Sequence, residues 1–259
     1  MDSAVTMMNK SQVGGAGPSG RDPVVVLIHG LFHGAWCWER VISELAARGV
    51  AATAVELPYT SYDDDLAAVH AVIAASAGPV VLVGHSLGGG LVCAAGTAAT
   101  VERLGFLSAM VVDAGQPVAE RLAKHGVRPE YQGGSTPELA AGLGLTPDGL
   151  VTIDPAVAAA IFFSDCTAAD VGLATSKLRP ASPSSVTGLP GDEPWRTKPS
   201  HYIFCTADRA LPLEAQQAFA AGLSGTTSSL DSSHSPFWSR AAEVAEIITR
   251  WVADTRAGR

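Results

Sequence analysis

Short apolar runs rich in β-branched residues alternate with stretches of helical spacing along most of the chain. Strands are predicted at residues 24–28, 50–55, 80–83, 109–112 and 201–205. Because these runs are continuously apolar rather than alternating, they suit strands covered on both faces, as in a mostly parallel sheet between helical layers. Helices are predicted between them. Residues 36–48 place Trp38, Val41, Ile42 and Leu45 on one side and end at Gly49. Asp63, Asp64 and Asp65 put negative charge at the start of a helix through 77, which Gly78 and Pro79 stop. Residues 241–252 carry Val244, Ile247, Ile248, Trp251 and Val252 at helical spacing and read as core packing.

The pattern changes between Gly115 and Ser200, where helical pieces are separated by Gly- and Pro-rich joints and no strand is apparent. Asp154-Pro155 signals the start of a helix over 156–163, and Thr167 with Asp170 forms a capping box for one through 178. Pro180, Pro183, Pro190, Gly191 and Pro194 then argue against regular structure. The expected organisation is a flexible tail over 1–22, an α/β core over 23–114 and 200–259, and a helical cap insertion over 115–199.

Composition narrows the function. With 47% hydrophobic and 16% charged residues, 259 residues can bury one large core. A formal net charge of -8 disfavours nucleic acid and anionic membrane as partners. The best candidate span, around 80–99, is interrupted by His85, Ser86 and four glycines, so no membrane helix is expected. Cys37, Cys93, Cys166 and Cys205 are scattered, which suggests neither a zinc site nor a disulfide framework and suits a reducing, cytoplasmic setting. Residues 1–22 lack the basic start and apolar run of a signal peptide.

The chemistry concentrates at Gly84-His85-Ser86-Leu87-Gly88, directly after one predicted strand and before a helical stretch at 89–99. This is the context of a nucleophile elbow, a turn so tight that side chains at 84 and 88 would collide with the neighbouring strand and helix. Such a turn exposes the serine hydroxyl and brings the first amides of the next helix to the same spot. A serine hydroxyl needs a base, and the base needs an orienting group. His234, in a polar loop before the last helix, and Asp208, just past the strand at 201–205, qualify in the expected order Ser, Asp, His. Asp113, which also follows a predicted strand, is the rival acid. The loop His29-Gly30-Leu31-Phe32-His33-Gly34 follows the first strand, where a second oxyanion donor would come from the Leu31 amide, paired with that of Leu87.

Together these residues resemble the α/β-hydrolase superfamily, and within it the branch of plant methyl esterases, hydroxynitrile lyases and bacterial relatives. The resemblance runs from Pro23 to about Asp254 and rests on residues 29–38, residues 84–89, the loops of Asp208 and His234, and the cap-like stretches 162–166 and 178–180. It implies an α/β-hydrolase fold: a mostly parallel sheet of about six strands, helices on both faces and a helical cap inserted before the penultimate strand. It also implies a Ser-His-Asp hydrolase of a small, largely apolar carboxylic ester or lactone, with no metal or organic cofactor. Pocket walls are expected from Phe32, Phe162, Phe163, Trp195 and Phe237. Lyases of this branch look to a threonine and a lysine where this chain has Gly30 and Ser235, so cyanide chemistry is disfavoured. A non-hydrolytic lyase or cyclase and a ligand-binding receptor that keeps the triad are the alternatives. No oligomeric state is implied.

Overall fold

The computed structural model describes residues 22–258 apart from 132. The expected tail over 1–22 therefore lies outside the described residues except for Asp22. Six strands form one sheet, β1 (Val24–Ile28), β2 (Ala51–Val55), β3 (Val80–His85), β4 (Val101–Leu107), β7 (Ser200–Cys205) and β8 (Thr227–Leu230), in the order β2-β1-β3-β4-β7-β8 with every pairing parallel. Two further strands, β5 (Leu143–Leu145) and β6 (Val151–Ile153), make a separate antiparallel pair.

Alternate residues of the central strands feed two cores. Val25, Leu27, Val81 and Val83 pack with α1 (Glu39–Ala47) and α11 (Ala241–Ala257), through Val41, Leu45, Ile248 and Trp251. Val26, Ile28, Leu82 and Phe106 pack on the other face with α2 (Tyr62–Ala75), α3 (Gly88–Ala95) and α9 (Leu213–Ala220), through Val69, Ile73, Val92 and Phe219. Between β4 and β7 the chain makes a long excursion through α4 (Val118–Lys124), α5 (Pro137–Ala141), the β5–β6 pair, α6 (Pro155–Phe162), α7 (Ala168–Ser176) and α8 (Pro183–Thr187). The short α10 (Pro236–Ser239) leads into α11. No helix of the described residues is long and apolar enough to cross a membrane.

The sheet order also locates the functional edge. From β1 the chain steps outward to β2, then returns to place β3 on the other side of β1, so the loops leaving β1 and β3 diverge and open a crevice at their C-terminal ends. Those loops carry His29–Gly34 and Ser86.

Local signals account for many of the helix ends. Ser61 caps α2 by accepting from the Asp64 amide at 3.1 Å, Asp154 caps α6 at 2.8 and 3.1 Å, and Thr167 caps α7 through the Asp170 amide at 3.2 Å. Three readings of the sequence need correction, and one strand went unread. The strand expected at 109–112 is instead β4 at 101–107: Ser108 turns through positive φ (39°), and the Ala109 amide and carbonyl are taken by the Tyr202 hydroxyl rather than by a sheet neighbour. Glu102 and Arg103 broke the apolar run that would have revealed it. The excursion does contain strands, β5 and β6, closed by the Thr146 amide on the Leu150 carbonyl at 2.9 Å. Pro183 does not forbid a helix, because it occupies the first turn of α8 where no amide is required. The edge strand β8 has the sequence Thr-Ser-Ser-Leu, too polar to stand out.

Gly88 packs directly on β1, where a Cβ would come within 2.7 Å of the His29 carbonyl and 3.0 Å of the Ile28 carbonyl. Since both obstacles are backbone, Gly88→Ala is expected to cost about 2–3 kcal/mol of stability, read as a lowered urea midpoint. A midpoint equal to wild type would contradict this packing.

Candidate active site

Ser86 stands at the end of β3 in left-handed backbone, φ 53°, before the first turn of α3. Its carbonyl accepts from Gly89 at 3.1 Å and Met110 at 3.0 Å, and its amide reaches the Leu107 carbonyl at 3.4 Å. The turn is thus fastened to α3 and to the exit of β4. A Cβ at Gly84 would meet the Gly88 carbonyl at 2.6 Å, which is the collision expected of so tight a turn.

Ser86 and His234 border one cavity of about 210 Å³. His234 is buried, and its Nδ1 lies 2.6 Å from Asp208 Oδ2. The other Asp208 oxygen accepts the Ala210 and Leu211 amides at 2.7 and 2.8 Å, and Ser108 donates its hydroxyl to Oδ2 at 2.5 Å. Four donors therefore hold this fully buried carboxylate as an acceptor. The pairing assigns the His234 proton to Nδ1 and leaves Nε2 as the basic nitrogen. The rival acid Asp113 is engaged elsewhere, by Arg121 at 2.7 Å and Arg196 at 3.3 Å.

Leu31 and Leu87 border the same cavity, and among the described residues neither amide meets an acceptor. Phe32 and Phe162 line it too. Phe163, Trp195 and Phe237 do not, contrary to expectation. Phe237 backs the site, its ring edge-on to His85 at 4.8 Å and against Trp38 at 5.3 Å. Phe163 is buried in the core shared with α1 and α11. Trp195 lies in the opposite core, donating to the Val112 carbonyl at 3.2 Å and flanked by the Arg121 and Arg196 guanidiniums. The excursion supplies the remaining wall through Leu139, Leu143 and Val186.

Three supporting residues escaped the sequence reading. Ser108 would have been found had β4 been read at 101–107, since it then falls at the strand's C-terminal edge. His85 donates Nε2–H to the His234 carbonyl at 2.8 Å, with the two rings 4.5 Å apart. Asp165 accepts from the Ser233 amide at 3.1 Å and from the Ser233 hydroxyl, anchoring the loop next to His234. Burial pushes the Asp165 carboxyl up, but hydrogen bonds from Ser233, Ser239 and Ser232 outweigh it and hold its pKa below the ordinary range.

The other histidines around the site are kept neutral. His29 accepts from the Leu57 amide at Nε2 (3.2 Å), so Nδ1–H faces the Gly30 carbonyl at 3.0 Å; burial lowers its pKa to about 3. Burial likewise lowers His33 to about 4, while burial and the nearby His234 and His33 hold His85 well below its usual value. Gly30 brings the β1 loop close, since a Cβ there would sit 2.7 Å from Ser86 Cβ and 2.9 Å from His85 Nδ1. A side chain at this position would require Ser86 or His85 to shift.

Residues 25–247 match the alpha/beta hydrolase family, and the chain belongs to it. Among curated relatives, a probable esterase of rice (PIR7A, Oryza sativa subsp. indica) is 43% identical over 77 residues, 25% of this chain and 29% of the rice protein. The match thus spans under a third of that relative's length. The pFDCC methylesterase MES16 of Arabidopsis thaliana is 30% identical over 194 residues, 64% of this chain and 68% of that protein. Among solved structures, polyneuridine aldehyde esterase superposes with a TM-score of 0.72 at 22% identity, covering 91% of this chain and 100% of that one. At that identity the shared feature is the fold.

The neutral histidines bear on stability. Their folded pKa values lie below the ordinary 6.5, so between about 6.5 and 4 the unfolded chain binds more protons than the folded one. Their contribution is complete above 6.5 and is lost as pH falls toward 4. The urea midpoint is therefore expected to drop between about pH 7.5 and about pH 5, and a midpoint that holds or rises over this interval would overturn the assignment.

Proposed function

We propose that the protein is a serine hydrolase that cleaves a carboxylic ester or lactone of a small, largely apolar molecule through Ser86, His234 and Asp208. The observation that carries this is the shared cavity of Ser86 and His234, with the imidazole held at Nδ1 by a buried, fully hydrogen-bonded carboxylate. His234 Nε2 takes the Ser86 proton as Oγ attacks the acyl carbon, and the carbonyl oxygen gains charge beside the Leu31 and Leu87 amides. His234 then returns the proton to the departing alkoxide. Water enters, gives a proton to His234 and attacks the acyl-enzyme, and as the second adduct collapses His234 returns that proton to Ser86 Oγ, releasing the acid and restoring the serine.

The excursion between β4 and β7 acts in this reading as a cap, since Leu139, Leu143, Phe162 and Val186 close the cavity over Ser86. Esterase names among the relatives support the ester class. The four unpaired cysteines suit a reducing compartment such as the cytoplasm, and the acidic net charge suits neither nucleic acid nor an anionic membrane. The cyanogenic lyase variant of this scaffold is disfavoured by Gly30 and Ser235, which stand where it uses a threonine and a lysine.

A fluorophosphonate probe is expected to label wild type and not Ser86→Ala; absence of labelling in wild type would sink the reading. Asp208→Asn should keep the fold yet lower kcat on p-nitrophenyl esters by about 10³–10⁴, because the imidazole is then held in the wrong tautomer. A receptor that merely retains the triad would instead bind ligand stoichiometrically without releasing acid.

A further inference from the structure

A second and larger cavity, about 390 Å³, adjoins the one that holds Ser86 and shares Leu31, Leu87, Met110, Gly133 and Val186 with it. Whatever group is held at the two leucine amides therefore has two directions in which to extend. An apolar cavity of about 150 Å³ accommodates one benzene, so the larger chamber has room for a two-ring group and the smaller one for a short chain or single ring.

The larger chamber is mostly apolar, with Leu57, Leu91, Val112 and Val118 in its walls, but its lining also includes Asp65, Tyr62 and Ser185. Tyr62 and Asp65 lie one turn apart on α2, and Ser185 comes from α8, packed against it. Asp65 is only 2% exposed and Ser185 only 6%. One Asp65 oxygen accepts the Tyr59 amide at 2.8 Å, and no cation pairs with the carboxyl among the described residues. The Ser185 hydroxyl lies beside the Asp65 carboxyl closely enough to favour its charged form, but neither it nor the buried Tyr62 hydroxyl makes a hydrogen bond of full geometry. Burial raises the Asp65 pKa above the ordinary carboxyl value, against the opposing pull of the Tyr59 amide, the Ser185 hydroxyl and the more distant Arg179 guanidinium. Buried polar groups left unpaired cost free energy that a ligand can recover by pairing them.

We propose that this chamber is a subsite for a two-ring apolar portion of the substrate that carries a hydrogen-bond donor, a hydroxyl or amine, remote from the scissile bond. Asp65 accepts from that donor, and the Tyr62 and Ser185 hydroxyls complete the polar corner. The substrate is then bipartite, with its acyl carbon at Ser86, one small portion beside His234 and Phe162, and one larger, singly polar portion against α2 and α8. The identification of that substrate as an ester rests on the serine-hydrolase reading, whereas the donor subsite does not.

The test is a fluorescence titration of Ser86→Ala protein with methyl 6-hydroxy-2-naphthoate and with methyl 6-methoxy-2-naphthoate, which resemble each other in ring system and differ in the donor. The hydroxy ester is expected to bind about tenfold more tightly. Asp65→Asn on the same background keeps an acceptor for the Tyr59 amide and should narrow the gap roughly threefold, as a charged acceptor becomes neutral. The double change Tyr62→Phe with Ser185→Ala, which leaves Asp65 in place, should narrow it as well. Equal affinities for the two esters, no binding of either, or a gap that survives both sets of substitutions would overturn the proposal. Fluorophosphonate labelling of wild type separates the two claims: an affinity gap without labelling keeps the subsite and rejects the hydrolase, and labelling without a gap does the reverse.

Discussion

Ser86 occupies a left-handed backbone conformation that a residue with a side chain adopts only at a cost of about 1–3 kcal/mol. Three backbone hydrogen bonds, to Gly89, Met110 and Leu107, hold it there. Each reaches a different neighbour of β3: the first turn of α3, the loop beyond β4, and the end of β4 itself. The turn is stable only if β4 ends at Leu107 and the chain swings back over Ser86 through Ser108 and Met110. That same swing delivers the Ser108 hydroxyl to Asp208 and Met110 to the wall between the two cavities. Much of the site's geometry follows from this one strained turn and the strand exit that secures it.

Electrostatics then distinguishes one imidazole from its neighbours. His29, His33, His85 and His234 are all buried near the ends of β1 and β3, yet only His234 has a carboxylate at Nδ1. His29 and His33 place Nδ1 against backbone carbonyls, and His85 turns Nε2 to the His234 carbonyl. Neutral neighbours would neither compete for protons nor repel the charge that the proposed reaction places on His234. A cluster of histidines can in this way set one imidazole apart from the rest.

The strongest sequence signals came from residues whose local requirements are stringent. The elbow at 84–88, the caps at Asp154 and Thr167, and the apolar strands β1 and β3 were legible because tight turns, helix ends and doubly covered strands restrict residue type. Asp208 was legible from its position after a strand and His234 from its polar loop before the last helix, and the structure brings them within hydrogen-bond distance. The parts that escaped depend on partners distant in sequence. Charged residues at the start of β4 hid a buried strand, the polar β8 is a strand only because β7 pairs with it, and Trp195 looked like a wall residue until Arg121 and Val112 surrounded it. The role of Asp165 depends on Ser233, 68 residues away.

Phe162 illustrates how shape and chemistry are divided within one residue. Its side chain faces the cavity, while its carbonyl accepts the Ser233 hydroxyl at 2.9 Å, and Asp165 three positions later holds the same serine. Replacing the Phe162 ring can remodel the cavity without touching the tether of the histidine loop. Inserting or deleting a residue between 162 and 165 would shift both anchors of that tether. The wall can therefore be reshaped by substitution at Phe162, whereas any change in the length of residues 162–165 would displace the loop that carries His234.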